Sequence, residues 1–405
     1  MKILMTTHYF ASHQGGIEIV AGQLFRELAA AKQEVVWMAS DVTPPPEATG
    51  TSRAAGLRTY NFVERKIGLP APIPTFAAMR KTRAEVRQAD LLIVHDCLYL
   101  TNILAYAWAR LSGIPVVVVQ HIGNVPYSSR FLSGVMKLAN RWITRNMLRG
   151  AEQVVFISET TKEYFKGVSF RTPPLVIFNG VDSDVFRPLH FAEKKVDLRR
   201  EFGLPADRPV ILFVGRFVEK KGLLALQRMV EMAPDYTWAF AGWGPLDPGK
   251  WGAPNVHVFS DLHDSRLAAL YRACDLLVLP STGEGFPLVL QEALATGLAA
   301  LCGTETLAAD PDMARFVRGA PVFPDNSERT ARAFLTSIAD YLSSEAAGEN
   351  ESGKSNKSND RRTFAVSRYS WHHAAGQYME IAARLAASPV SSSVAMGASA
   401  GDVAR

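Results

Sequence analysis

The chain has 405 residues, 48% of them hydrophobic, a formal net charge of +5 and three cysteines. That length points to two domains and not one core, and no apolar run reaches the roughly 20 residues that span a bilayer. Cys97, Cys274 and Cys302 lie too far apart for a disulfide framework and are expected as buried thiols of a reducing cytosol, while so mild a charge names no partner and gives no reason to expect a nucleic acid.

Met1-Lys2-Ile3-Leu4-Met5 turns polar at Thr6-Thr7-His8, the pattern of a first strand and not of a signal peptide. Gln14-Gly15-Gly16-Ile17-Glu18 then opens a helix with Ile17, Val20, Leu24 and Leu28 at helical spacing. Gly15 and Gly16 allow close backbone approach to a phosphate or sugar, although such a pair is also an ordinary strand-to-helix turn. Apolar runs at 35–38, 91–94, 116–119, 154–157 and 175–178 alternate with amphipathic stretches, as in a parallel sheet covered by helices. His121 follows the run Val116–Gln120 and His95 follows Leu91–Val94, so each is expected at a strand end; a lone histidine there is more often structural.

No Asp or Glu occurs between Cys97 and Ala151. Arg130, Lys137, Arg141, Arg145 and Arg149 recur there at spacings of seven, four, four and four, one helical stripe with Phe131, Leu138 and Trp142 nearby. Such a stripe is either a solvated face or a surface for an anionic membrane or an acidic substrate, each cation contributing about 1 kcal/mol near the surface.

The stretch from Phe186-Arg187-Pro188 to Arg208-Pro209 is polar and proline-punctuated, which sets a domain boundary near residue 190 and domains at 1–190 and 191–385. Asp182-Ser183-Asp184 has an acid-x-acid form that can hold manganese, but in a linker it is expected to be a turn or a helix cap. Strand-like runs start again at Val210–Val214 and continue at 238–240, 256–259, 276–279 and 299–301. Gly215-Arg216-Phe217-Val218-Glu219-Lys220-Lys221-Gly222 directly follows the first of these, so Arg216 and Lys221, with Lys220 the adjacent alternative, stand at the carboxyl end of a sheet. Two cations there can hold a diphosphate and stabilise the charge that builds as it leaves. Gly242-Trp243-Gly244-Pro245 is a glycine turn of similar placement. Residues 346–362, rich in Gly, Ser, Asn and charge, are expected as a disordered insertion, and 386–405 as an unstructured tail.

The run Asp275–Pro280 leads into Glu284-Gly285-Phe286-Pro287-Leu288-Val289-Leu290-Gln291-Glu292. This reads as strand, tight loop and helix, with Pro287 in the first helical turn, Glu284 in the loop and Glu292 more than one turn into the helix. The helix start suits a phosphate.

Two glutamates bracketing seven residues, with Gly-Phe-Pro after the first and a buried strand before it, resemble the signature of retaining nucleotide-sugar glycosyltransferases of the GT-B fold, glycosyltransferase family 4. The resemblance implies an α/β fold of two Rossmann-like parallel-sheet domains facing a cleft, an N-terminal acceptor domain and a C-terminal donor domain. It also implies a last helix, opening at Tyr369-Ser370-Trp371, that crosses back to the N-terminal domain. By the same resemblance Glu284 holds the sugar and orients the donor, and His121 contacts the transferred sugar. Arg216 and Lys221 bind the diphosphate, Gly15 and Gly16 close over the donor, Gly285, Phe286, Pro287, Leu288 and Val289 cradle it, and Glu292 takes the ribose. The expected activity is hexose transfer from a UDP- or GDP-sugar to a hydroxyl of a glycan or lipid-linked acceptor in polysaccharide or glycoconjugate synthesis, in the cytoplasm or at the inner face of the cell membrane. Neither metal nor other cofactor is expected. A nucleotide-sugar epimerase, or a non-catalytic nucleotide-sugar binder, would need the same phosphate-binding residues.

Overall fold

The computed structural model describes residues 1–13, 15–62, 64, 71–123, 134, 138–190, 193–348 and 351–387. Its N-terminal strands are β1 (Lys2–Thr6), β2 (Glu34–Ser40), β3 (Arg53–Leu57), β4 (Thr59–Tyr60), β5 (Ile73–Pro74), β6 (Leu91–His95), β7 (Val116–Gln120), β8 (Gln153–Phe156) and β9 (Leu175–Val176). Seven of them form a parallel sheet in the order β3-β2-β1-β6-β7-β8-β9, and β4 pairs antiparallel with β5. Along these strands successive side chains bury on opposite faces: Ile3, Met5, Val117 and Val119 on one, Leu4, Val116 and Val118 on the other. Both faces are covered, which is why the strands read as unbroken apolar runs.

The second sheet holds β10 (Val210–Val214), β11 (Thr237–Ala241), β12 (Val256–Phe259), β13 (Leu276–Leu279), β14 (Ala299–Gly303) and β15 (Val317–Ala320), parallel in the order β12-β11-β10-β13-β14-β15. The expectation of two parallel-sheet, Rossmann-like halves is met. The longer strands without an apolar run in the sequence, β3 and β15, both lie at sheet edges. Arg53-Ala54-Ala55-Gly56-Leu57 and Val317-Arg318-Gly319-Ala320 mix small and charged residues, as an edge open to solvent permits. Strand order reverses between β1 and β6 and again between β10 and β13, the places where open α/β sheets bind ligands.

Helices that matter for the site are α1 (Gly16–Ala30), α2 (Leu100–Ser112), α3 (Asp264–Ala273), α4 (Leu288–Ala295), α5 (Ser327–Gly348), α6 (Glu351–Tyr369) and α7 (Trp371–Ala387). The disordered insertion expected at 346–362 is corrected by α5 and α6, only 349–350 lying outside the described residues. Tertiary contacts outweigh a poor helical composition here. Arg361 donates to the carbonyl of Gly297 at 3.2 Å, and Arg362 donates to those of Ser183, Phe186 and Ala295 at 3.2–3.3 Å. Of the tail expected at 386–405, Ala386 and Ala387 close α7 and the rest lies outside the described residues.

Helix α7 crosses back as expected: Ala374, Ala375, Tyr378, Ile381 and Ala382 pack into the N-terminal core with Leu24 and Phe25 of α1. The chain therefore passes between the cores twice. Ile177 packs in the N-terminal core, whereas Val181 and Phe186 already pack in the C-terminal one, ahead of the expected boundary near residue 190. The proline-punctuated stretch after them lies against the second domain. The two passages run side by side, with the Val181 N–H donating to the Tyr369 carbonyl at 2.6 Å and Val181 bridging Ser370.

Candidate active site

On the C-terminal side of the cleft, the loop after β13 carries Glu284 and the loop after β10 carries Lys221, and their charged groups meet at 2.8 Å (Lys221 Nζ to Glu284 Oε1). The pair is largely buried, and its geometry is that of an ion pair without an aligned hydrogen bond. Lys220 is exposed, and its contribution to this loop is a carbonyl that accepts from the Thr282 N–H at 3.0 Å. Arg216 is exposed and lies over the ring of Trp243, 4.9 Å from its centroid, itself half open to solvent.

Gly285 comes so close to the other domain that a Cβ there would stand 2.7 Å from the carbonyl oxygen of His121 and 3.2 Å from Ile157. The glutamate loop thus touches the end of β7 directly. Phe286 turns the other way: it is buried against Phe178 and Tyr369, with ring centroids at 5.3 and 5.4 Å, so what it offers a ligand is backbone. Pro287 caps α4 from just outside instead of lying within the first turn, and the N–H groups of Leu288 and Val289 begin the helix without intrahelical acceptors. Glu292, the fifth residue of α4, accepts from the Tyr271 O–H of α3 at 2.6 Å. Burial pushes its carboxyl up to about 7, and the tyrosine hydrogen bond opposes that rise.

The N-terminal side is built from strand ends. His121 Nε2 and His95 Nδ1 are 3.0 Å apart, and both rings are buried. Burial takes His95 down to about 3; burial and the neighbouring His95 and His8 hold His121 well below the ordinary histidine range. Asp96 sits in a left-handed conformation (φ 65°), its carboxylate accepting from Gln120 Nε2 at 2.5 Å with the backbone of His121 and Ile122 close by. Burial raises its pKa to about 8, against the lowering influence of the His121 and Ile122 backbone. Asn102 of α2 holds the turn by donating to the carbonyls of His95 and Asp96 at 2.7 and 2.9 Å.

Gly15 and Gly16 part company. The space a Cβ of Gly15 would take is filled by the Glu18 carboxylate, which pairs with His8 Nε2 at 2.9 Å, whereas Gly16 faces open space. His8 stacks on Tyr99 with centroids 3.7 Å apart. His8, Asp96 and Tyr271 were not singled out from the sequence; Asp96 directly after β6 and His8 two residues after β1 stand at strand ends, the logic applied to His121, and could have drawn notice.

Outside the cleft, Asp182 accepts from the N–H groups of Asp184 and Val185 at 3.1 and 3.2 Å and so makes the expected local turn. Of the basic stripe, Arg130 and Lys137 lie outside the described residues. The remainder is not one regular α-helix: Asn140–Thr144 forms a π-helical turn before the short helix Arg145–Gly150. Arg141 and Arg149 are exposed, and so are Leu138 and Trp142, at 59% and 62%.

Residues 14–185 match Glycosyltransferase Family 4, and residues 194–353 match Glycosyl transferases group 1. This chain belongs to glycosyltransferase family 4. Among its relatives, a putative teichuronic acid biosynthesis glycosyltransferase, TuaC, of Bacillus subtilis is 30% identical over 191 residues, 47% of this chain and 46% of that protein. An N,N'-diacetylbacillosaminyl-diphospho-undecaprenol alpha-1,3-N-acetylgalactosaminyltransferase of Campylobacter jejuni is 22% identical over 273 residues, 64% of this chain and 70% of that protein. The chain thus spans less than half the length of the first of these relatives. Among solved structures, sucrose-phosphate synthase from Thermosynechococcus elongatus superposes with a TM-score of 0.72 at 19% identity, covering 95% of this chain and 99% of that one, which marks the fold as GT-B.

Proposed function

We propose that this chain is a retaining hexosyltransferase that moves a hexose from a UDP- or GDP-sugar to a hydroxyl of a glycan or lipid-linked acceptor. The observation that carries the reading is the Lys221–Glu284 pair at the cleft, beside the N-terminus of α4 and in contact with the strand end that bears His121. As the bond from the sugar's anomeric carbon to the diphosphate lengthens, Lys221, Arg216 and the first N–H groups of α4 take the growing negative charge. Glu284, released from Lys221 by the phosphate, holds sugar hydroxyls, and Glu292 accepts from the ribose. The acceptor hydroxyl attacks on the face the diphosphate leaves, a phosphate oxygen takes its proton, and the configuration is retained. No side chain of this chain needs to act as nucleophile, and no metal is called for: turnover is expected to survive chelation by EDTA.

An undecaprenol-linked substrate in the name of one relative supports a lipid-linked acceptor. The exposed Arg141, Arg149, Leu138 and Trp142 support a resting place on an anionic membrane, at the cytoplasmic face where nucleotide sugars are held. Co-sedimentation with phosphatidylglycerol vesicles, weakened in an Arg141→Glu, Arg149→Glu variant and absent with phosphatidylcholine, is the expected result.

Thermal unfolding of the chain with UDP, GDP, ADP and their sugar conjugates, without metal, tests the donor site. A ligand at a hundredfold excess over its dissociation constant stabilises the native state by about 2.7 kcal/mol. One base should raise the midpoint in the native chain and not in Lys221→Ala. A panel without any shift overturns the donor-site reading, and an inverted anomer in the product overturns retention.

A further inference from the structure

The imidazole of His121 has two nitrogens, and His95 occupies one of them. His121 Nε2 faces His95 Nδ1 at 3.0 Å, which leaves Nδ1 as the His121 nitrogen not engaged by His95. One proton lies between the two rings, so the tautomer of each fixes that of the other. The far nitrogen of the pair, His95 Nε2, is buried with no hydrogen-bond partner among the described residues. If His121 Nε2–H donated, His95 would have to carry its own proton on Nε2, a buried N–H with no acceptor. If His95 Nδ1–H donates, that position is a bare acceptor. Unpaired buried donors are rarer in proteins than unpaired acceptors, so the second arrangement is favoured.

The surroundings hold His95 still. Asn102 donates to its carbonyl and to that of Asp96, while the Asp96 N–H donates to the Val119 carbonyl at 2.8 Å and its carboxylate accepts from Gln120 Nε2. Both strand ends are therefore tied to each other through backbone as well as through the rings. We propose that His95 is a positioning residue whose Nδ1–H donates to His121 Nε2 and so fixes His121 as the tautomer carrying its proton on Nδ1. His121 then meets the sugar as a hydrogen-bond donor and not as a base, in keeping with a reaction in which the leaving phosphate takes the acceptor's proton. This step rests on the role given to His121 above.

The test uses the full chain labelled with 15N-histidine. Long-range 1H–15N spectra identify the tautomer, and the His121 signals are those lost in His121→Gln. His121 is expected with its proton on Nδ1, the form less populated by free imidazole in water. The same form is expected in His95→Asn, whose amide nitrogen stands where Nδ1 was, and a return to Nε2–H in His95→Leu. In turnover assays His95→Leu should lower kcat about tenfold with the donor KM within twofold, and His95→Asn should recover most of the loss. His121 protonated on Nε2 in the native chain overturns the proposal, and so does wild-type kcat in His95→Leu. Should His121→Gln itself turn over normally, the role of His121 in the reaction falls, while the tautomer spectra still decide what His95 does.

Discussion

At the carboxyl ends of β10 and β13 the cleft presents charges: an exposed Arg216 and an ion pair between Lys221 and Glu284. At the ends of β1, β6 and β7 it presents buried imidazoles, an amide and a carboxyl whose charge burial opposes. The two sides share a strand-loop-helix frame and differ in what stands on it. Fixed charges suit a leaving diphosphate, which brings opposite charge with it. Neutral hydrogen-bonding groups suit hydroxyls, which bring none. The charged side can be satisfied by exchanging one ion for another, whereas the neutral side depends on geometry fixed in advance.

The largest way to break this comparison is to remove the charges. Lys221→Ala and Glu284→Ala are each expected to lower kcat about 10²- to 10³-fold, against about tenfold for His121→Gln, as measured by steady-state turnover at saturating donor. Equal losses on the two sides would erase the distinction.

Next comes the way each domain responds to acid. In the C-terminal domain Asp275 is pushed up by burial, but Lys195 and Arg199, at 2.8 and 2.5 Å, outweigh that and hold it below the ordinary carboxylate range. Its contribution is present above pH about 4 and is lost as pH falls through the depressed folded value. Asp275→Asn should cost about 3 kcal/mol at pH 7 by urea unfolding, and less in acid.

Asp96 in the N-terminal domain has the opposite sign. The folded chain keeps a proton up to about pH 8 that the unfolded chain releases near pH 4, so stability is drawn down as pH rises through that window. Asp96→Asn should gain stability relative to the native chain between pH 5 and pH 8; a constant difference would mean that Asp96 is ionised throughout.

The smallest effect sharpens the donor side. Glu292, raised to about 7, loses acceptor capacity as pH falls, so the donor KM should rise below neutrality. Without its hydrogen bond, Tyr271→Phe should raise KM about threefold at pH 7 and move that rise to higher pH.

Much of this was legible in the sequence. The interior strands announced themselves because both their faces are buried. Arg216, Lys221 and Glu284 follow strand-like runs through glycine turns, so the local pattern places them near a sheet end, while the choice of these residues and of Glu292, a turn into its helix, came with the resemblance. What could not be read were pairings between elements. His95 meets His121 because β6 and β7 are sheet neighbours, Tyr271 meets Glu292 across two helices that flank β13, and even the nearer pair His8 and Glu18 depends on how the first loop folds, none of which a local pattern encodes. Helix α6 failed to show for a similar reason, since the carbonyls that hold Arg361 and Arg362 come from distant segments.

The adjacent passages at Val181 and Tyr369 act as a pin. Where the chain crosses twice side by side, a turn of one core against the other moves the adjoining residues least. Phe286, one residue from Gly285, packs on Phe178 and Tyr369 at that spot, so the glutamate loop is held beside the crossing. A turn about this crossing would separate Glu284 from His121 less than it separates groups that stand farther from the pin.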